Sequence, residues 1–502
     1  MSSRGGWEGR AFPRRVSWRG SVVAFVCVVL VCCVCDFLLP VPVGLALAGT
    51  IYGSWSVWLA IRESRSTVLH VNPVVTFQMW QAGTLGLSPL YIGLKYSAED
   101  LVPFGSRVVL PAQIAYGHAI LVVGAFALYL GMKQFQPKDA IRESGDVRAS
   151  SGWELLTYFV AGTAILIFSY QITATMGSVF AGLSTMPLAV LLLFAVKPPA
   201  GLLRSRATYW AVLVVGTMIL LLLHARGDSK MMLSFSFVPL AMAAVQRRRK
   251  GLLIAFGVGF IGFYLLVIAP LVGEVRSVGQ RDEYGGMSAL NGTALGNVRV
   301  HLETEFRDDP IQYLSSWFEI TLYRLGDPVA AGVVSEFVAN GGLLRGAGMD
   351  YVPMAFIPRL LWHDKPVIER GRYFTYMLGM SSDEMSAATS TGQTAAGELY
   401  WNFGWPGVVV GMYILGAAFS GAWWGAAGGN PTHGILEMTA FTGITLSFVL
   451  GAGSAAGTGF VGAIASGLVL RALIYVRDLI LRRRRKIRTR RCCSNSPIPV
   501  CR

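Results

Sequence analysis

The chain has 502 residues, 53% of them apolar and only 14% charged, with a formal net charge of +15. Soluble domains carry roughly a quarter charged residues, so this composition excludes an ordinary soluble enzyme and points to one integral, polytopic membrane domain. The basic excess lies in short segments between apolar runs, which is how membrane topology is set. It therefore argues for the lipid bilayer, and against nucleic acid, as the partner.

Residues 1–19 form a basic arm with Arg4, Arg10, Arg14, Arg15 and Arg19. An apolar run follows with no small-residue cleavage site, so the arm leads into an uncleaved first membrane helix. Apolar runs near 20 residues cross the roughly 30 Å hydrocarbon layer as helices. They predict about twelve spans, near 20–39, 41–61, 74–94, 108–131, 153–172, 178–196, 207–223, 229–246, 251–272, 406–427, 434–450 and 454–475. Pro40 and Pro42 mark the first tight hairpin. Glycine pairs at Gly407/Gly411 and the series Gly421, Gly425, Gly429 read as close helix contacts.

Lysine and arginine alternate in density from one inter-span segment to the next. Arg62 and Arg65, then Lys133 to Arg148, Lys197 to Arg206, the QRRRK run at 246–250 and the tail LRRRRKIRTRR fall on one side. The positive-inside rule makes that side cytoplasmic, with both termini on it. The resulting layout is a cytoplasmic arm (1–19), nine helices (20–272), one large extracytoplasmic loop (273–405), three helices (406–475) and a basic cytoplasmic tail (476–502). Within the loop, 311–339 is helix-like but charged, which predicts an interfacial or re-entrant helix pair. Cys27, Cys32, Cys33 and Cys35 lie in the first span and Cys492, Cys493 and Cys501 in the tail. No zinc-type spacing is complete, and they read as free thiols. The sequence holds no P-loop, HExxH or GxSxG motif, and neither metal nor cofactor is expected.

Polar residues that could carry chemistry gather in the extracytoplasmic segments. Arg226 sits in the short HARGDSK loop, between apolar helices where a cation is costly to bury. It either serves a substrate or snorkels beside Asp228. Arg276 and Arg281 open the large loop. Arg324 and Asp327 fall in its helical part, as a functional pair or as a helix cap or ion pair. The densest stretch is 353–407. Pro358 and Pro366 bracket RLLWHDK as a stiff non-helical segment, with Arg359, Lys365, Arg370 and Arg372 crowded around it. Guanidinium groups grip phosphate oxygens in a fork, and lysine adds a point charge. Glu398 and Asn402 stand four apart, on one face of a helix. Glu398 is placed either to take a proton from a hydroxyl or to hold Asn402 or an arginine. Trp362, Tyr400, Trp401 and Trp405 suit sugar stacking or the membrane interface. Gly404 to Gly407 end that turn and start a new apolar span.

Two segments of this stretch, IPRLLWHDKP and GELYWNFGWPGVVVGMYILG, resemble the signature of the oligosaccharide repeat-unit polymerases. These are the O-antigen polymerase-like (Wzy-type) membrane glycosyltransferases of bacteria. The resemblance implies an all-α polytopic fold of the GT-C kind, with about twelve helices and one large extracytoplasmic loop. It implies that a growing glycan passes from undecaprenyl pyrophosphate to the next lipid-linked repeat unit, without a metal. Under it, Arg359, Glu398 and Arg226 are the catalytic candidates. Lys365, Arg372, Arg324, Arg276, Arg281, Asn402 and Trp405 are the substrate-binding candidates. Partners would be the undecaprenyl-pyrophosphate-linked donor and acceptor, a chain-length regulator and a flippase. A ligase-type glycan transfer is the nearest alternative. A flippase or transporter is the other, and would show inverted repeats and charged or broken helices near the midplane. The concentration of polarity in one outer loop favours the enzyme.

Overall fold

The computed structural model describes residues 18–66, 73–104, 106–135, 151–199, 206–224, 235–247, 250–270, 296, 299–300, 302–355, 357, 362, 370–380, 392–427, 434–452, 461, 464 and 467–480. They are almost wholly helical. The first half holds α1 (Trp18–Leu38), α2 (Val41–Ser66), α3 (Pro73–Gln81) and α4 (Ser88–Lys95), the last two joined by a π-helical segment, Ala82–Leu87. After a two-stranded antiparallel hairpin, β1 (Val102–Phe104) and β2 (Arg107–Val109), come α5 (Pro111–Gln134), α6 (Gly152–Ser184), α7 (Met186–Val196), α8 (Arg206–His224), α9 (Val238–Gln246) and α10 (Lys250–Phe263). Further on lie α11 (Pro310–Arg324), α12 (Asp327–Gly341), α13 (Tyr351–Ala355), α14 (Arg370–Met377), α15 (Ala395–Ala427) and α16 (Ile435–Ala452), with a last helix over 467–480.

Among the described residues, five helices are long and apolar enough to cross a bilayer: Gly20–Leu38, Val41–Glu63, Pro111–Gln134, Ala207–His224 and Ala395–Gly425. The expected spans at 20–39, 41–61, 108–131 and 207–223 fall on the first four. One expected break is misplaced. The loop read at 173–177 lies inside α6, which continues to Ser184, and the chain breaks at Thr185 instead. Pro187, in the first turn of α7, explains this, because proline suits a helix start and not its interior.

Helix α5 is the axis of the bundle. It is buried along most of its length and packs against α1, α12 and α15. Its close approach to α15 depends on glycine. A Cβ on Gly131 would lie 2.1 Å from the Tyr413 carbonyl oxygen, and one on Gly416 would lie 2.2 Å from that of Leu128. Gly131→Val is therefore expected to push the two helices apart and cost about 1–3 kcal/mol or more. A lowered unfolding midpoint of the detergent-solubilised protein checks this. Of the glycines expected to make such contacts, Gly407 and Gly411 do lie close against Leu399, but the later series differs. Gly421 and Gly425 have open space where a side chain would go, and Gly429 lies outside the described residues.

Ion pairs tie helix ends together. At one end of α5, Lys133 meets Glu63 at 2.6 Å. Arg477 meets Glu437 at 2.9 Å where the last helix passes the start of α16. At the other end of α5, Arg107 reaches Glu336 at 3.8 Å, and Lys95 binds Glu319. The segment 302–341 thus covers the face of the bundle that holds the α4–α5 turn.

Two helices of this half are short arms that enter the bundle. Leu325, at the foot of α11, faces Gly83 of the π segment, while Pro328 and Gly332 of α12 press on Gly117 of α5. The α11–α12 pair therefore descends, turns at Gly326 and climbs back, as a re-entrant pair does. Helix α15 does the same in one element. Gly404 has φ 66° and ψ −155°, and the chain reverses there. Leu399 then lies against Gly407 and Gly411, and Ala396, Val408 and Met412 all meet Gly124 of α5. Residues 395–403 form a short ascending arm and 405–427 the long descending one.

Candidate functional site

The tip of the α15 hairpin follows from its sequence. In an unbroken helix the Asn402 carbonyl would accept from residue 406, but Pro406 has no N–H. The reversal at Gly404 also strands the Trp401 carbonyl. Two backbone donors of the preceding loop take their places: Leu344 N–H bonds Trp401 O at 3.0 Å and Arg345 N–H bonds Asn402 O at 2.9 Å. The Asn402 side chain completes the clamp. Its Nδ2 donates to Glu398 O at 2.8 Å, and its Oδ1 accepts from Gly348 N–H at 3.0 Å. Asn402 is fully buried. The expected i,i+4 relation with Glu398 is present, and it serves to dock the loop 342–350 onto the arm.

Glu398 lies one turn below, with no exposed surface. The Tyr351 hydroxyl of α13 sits 3.0 Å from both its oxygens, and Gln393 Nε2 donates to Oε1 at 3.0 Å. Arg370, at the start of α14, brings Nε to 3.5 Å from Oε1 and is itself 15% exposed. Its guanidinium lies over the rings of Tyr351, at 5.3 Å, and Tyr373, at 4.8 Å. Such stacking suits a weakly hydrated planar cation. Among the described residues, Arg370 Nε and Nη2 are both buried and have no hydrogen-bond partner, so the contact with Glu398 is an ion pair only. The arrangement is a buried carboxylate paired with an arginine whose Nε and Nη2 donors are unspent.

The arm begins under strain. Thr394 is almost fully buried and has φ 64°, a region that β-branched residues rarely enter. Its hydroxyl caps the arm by accepting from Gly397 N–H at 3.0 Å. Strained residues persist where the surroundings over-determine them, often at functional sites.

The aromatic residues form walls. Trp401 is 3% exposed and packs against Phe337, Tyr373 and Phe374, so its ring faces protein. Trp405 donates Nε1–H to Tyr116 OH at 3.0 Å, and that hydroxyl meets Tyr400 OH at 2.8 Å. Arg372 is half-buried on α14, two residues beyond Arg370.

The structure thus gathers Glu398, Asn402, Trp405, Arg370 and Arg372 around one hairpin. Arg359, Lys365, Arg226, Arg276 and Arg281 lie outside the described residues, as does the side chain of Arg324, which closes α11. Sequence reasoning missed Tyr351, Gln393, Thr394 and Tyr116. The threonine four residues before Glu398, at a helix start, was a readable cap signal. Nothing local marks Tyr351, which arrives from 47 residues away. Among the described residues, no three His, Cys, Asp or Glu side chains converge as metal ligands. Searches against protein-family models, curated proteins and solved structures returned no match to this chain.

Proposed function

We propose that the chain polymerises undecaprenyl-pyrophosphate-linked oligosaccharide repeat units into a surface polysaccharide, as a GT-C-type glycosyltransferase of the bacterial plasma membrane with both termini cytoplasmic. The observation that carries this reading is the Arg370 guanidinium, set beside Glu398 and two tyrosine rings with its Nε and Nη2 donors unspent. In the reaction an acceptor hydroxyl attacks the anomeric carbon of the donor glycan. The bond from that carbon to the lipid pyrophosphate breaks, its electron pair leaves with the phosphate, and the hydroxyl proton passes to a base. Charge grows on the leaving pyrophosphate, and prearranged donors lower the barrier by roughly 3 kcal/mol each. Arg370 joins Arg359, Lys365 and Arg372 in that role. Glu398, buried and engaged on both oxygens, orients Arg370. Asn402 and Trp405 hold the hairpin that carries Glu398.

A second reading, a lipid-linked oligosaccharide flippase or other transporter, gains support from the two short arms that begin inside the bundle, since broken helices characterise that class. Glycan chain-length analysis separates the readings. A deletion strain is complemented with wild type, Arg370→Lys or Arg359→Ala. The polymerase reading expects single repeat units to accumulate on the outer face with Arg370→Lys, chain extension falling about 100-fold, because lysine keeps the charge and loses the fork. Repeat units trapped on the cytoplasmic side would indicate the transporter, and full-length polymer left on its lipid would indicate a ligase. Normal polymer from both variants would overturn the assignment.

A further inference from the structure

Asp36 and Asp327 both carry their carboxyl groups into the bundle, and they are balanced differently. Asp36 of α1 is buried, with Oδ2 2.8 Å from His118 Nδ1, while His118 Nε2 lies 3.0 Å from the Leu85 carbonyl. A carbonyl only accepts, so Nε2 carries a hydrogen. His118 Nδ1 thus gives Asp36 a basic partner, while Asp36 Oδ1 has no hydrogen-bond partner among the described residues.

Asp327 is different. It opens α12 beside a cavity of about 30 Å³ whose lining includes Leu121 and Ala125, halfway along α5. Protein surrounds it, yet it keeps some accessible surface, and that surface faces the cavity. Gln81, Thr84 and Thr394 supply the other polar lining. The Thr84 hydroxyl donates to the carboxyl. No lysine, arginine or histidine among the described side chains pairs with it. The remaining titratable neighbours are committed elsewhere: His118 to Asp36, Tyr52 OH to Gln81 Oε1 at 2.8 Å, and Glu398 to Arg370.

The backbone around the cavity is irregular on three sides. The π segment Ala82–Leu87, the start of α12 and the strained start of the α15 arm all meet there. Amides at the two helix starts offset part of the cost of burying a carboxylate. They do not cancel its formal charge. Carboxylates at such depth are kept with a counter-ion, a proton or a functional ligand, and π segments and broken helices cluster at such sites.

We propose that this cavity binds a monovalent cation, a proton or a sodium ion, on Asp327, with the Thr84 hydroxyl and the Gln81 amide oxygen completing the shell. The site does not depend on the glycosyl-transfer reading. Its size suits one small ion or water rather than a sugar.

The test uses the full-length protein in lipid nanodiscs. Unfolding midpoints are compared in NaCl, KCl and N-methylglucamine chloride at equal ionic strength, at several pH values from 5.5 to about 9, for wild type and Asp327→Asn. A sodium site gives a saturable rise of the midpoint in sodium alone, absent from Asp327→Asn. A proton site gives a midpoint that rises as pH falls, because the folded state then holds a proton that the unfolded state does not. Asp327→Asn, which mimics the protonated form, responds less to pH and does not follow sodium. Either result supports the proposal. Identical responses of wild type and variant in both series overturn it. So does a salt- and pH-independent loss in Arg324→Gln that equals, and does not add to, that of Asp327→Asn, since Arg324 would then be the counter-ion. If Asp327→Asn yields no folded protein, Thr84→Val takes its place, and an undiminished response in that variant counts against the site.

Discussion

Glu398→Ala is expected to destabilise the protein by about 3–5 kcal/mol and to abolish chain extension with it. The stability loss comes from what the substitution leaves behind. Arg370 stays 15% exposed, over two tyrosine rings, and loses its counter-charge. Tyr351 OH and Gln393 Nε2 lose their acceptor in a site with no exposed surface. Unmade buried bonds cost about 1–3 kcal/mol each, and an unpaired charge more. Glu398→Gln keeps the shape and one acceptor oxygen, so a smaller loss is expected. The double variant Glu398→Ala with Arg370→Met separates stability from chemistry. Removing both charges should recover much of the unfolding midpoint, since neighbours in one network couple by about 0.5–3 kcal/mol. Under the proposed function, chain extension should remain absent, because no guanidinium is left at this position. A double variant no more stable than Glu398→Ala would mean that the two residues do not act as a pair.

The hairpin shows which parts of this architecture are visible in a sequence. Local signals were readable. The run of α5 and the spacing of Glu398 and Asn402 rest on rules a few turns wide, though the expected span starts at 108 and the helix starts at Pro111. The charged stretch 311–339 was readable as a helix pair because its apolar residues recur at helical spacing, and two helices, α11 and α12, cover most of it. What could not be read depends on contacts far apart in the chain. Tyr351 meets Glu398 only because loop 342–350, just before it, docks on carbonyls that Gly404 and Pro406 leave free. The glycines show the same limit. Gly416 and Gly421 look alike in sequence, yet a Cβ on Gly416 would strike the α5 backbone and one on Gly421 would meet open space. Which face of a helix meets its neighbour is set by the whole bundle. The break at Gly404 to Gly407 was readable from its glycines and proline, but the full reversal there was not, because it is set by the packing of Leu399 on Gly407 and Gly411.

Gly404→Ala is the sharpest probe of that reversal. At φ 66° and ψ −155° the backbone lies in a region essentially reserved for glycine. The nearest side chain, Leu343, is 3.7 Å from where a Cβ would be, so there is room for the methyl group and the cost is conformational. Strain of about 1–3 kcal/mol is expected, enough to populate a straightened helix. Straightening would carry Glu398 away from Arg370 and break the Trp405–Tyr116 bond, so chain extension should fall with the unfolding midpoint. Pro406→Ala should do less, because Gly404 alone reverses the chain and Arg345 N–H already occupies the Asn402 carbonyl. The geometry has a direct readout. Ala396 and Met412 both meet Gly124 across the hairpin, whereas in an unbroken helix residues that far apart would be separated by about 24 Å. Cysteines at 396 and 412, in a chain whose native cysteines are replaced, should form a disulfide readily, and Gly404→Ala should weaken that link. Failure to cross-link in the parent would mean that the arm is the start of a straight helix. Glu398 would then have to be held by something other than the hairpin.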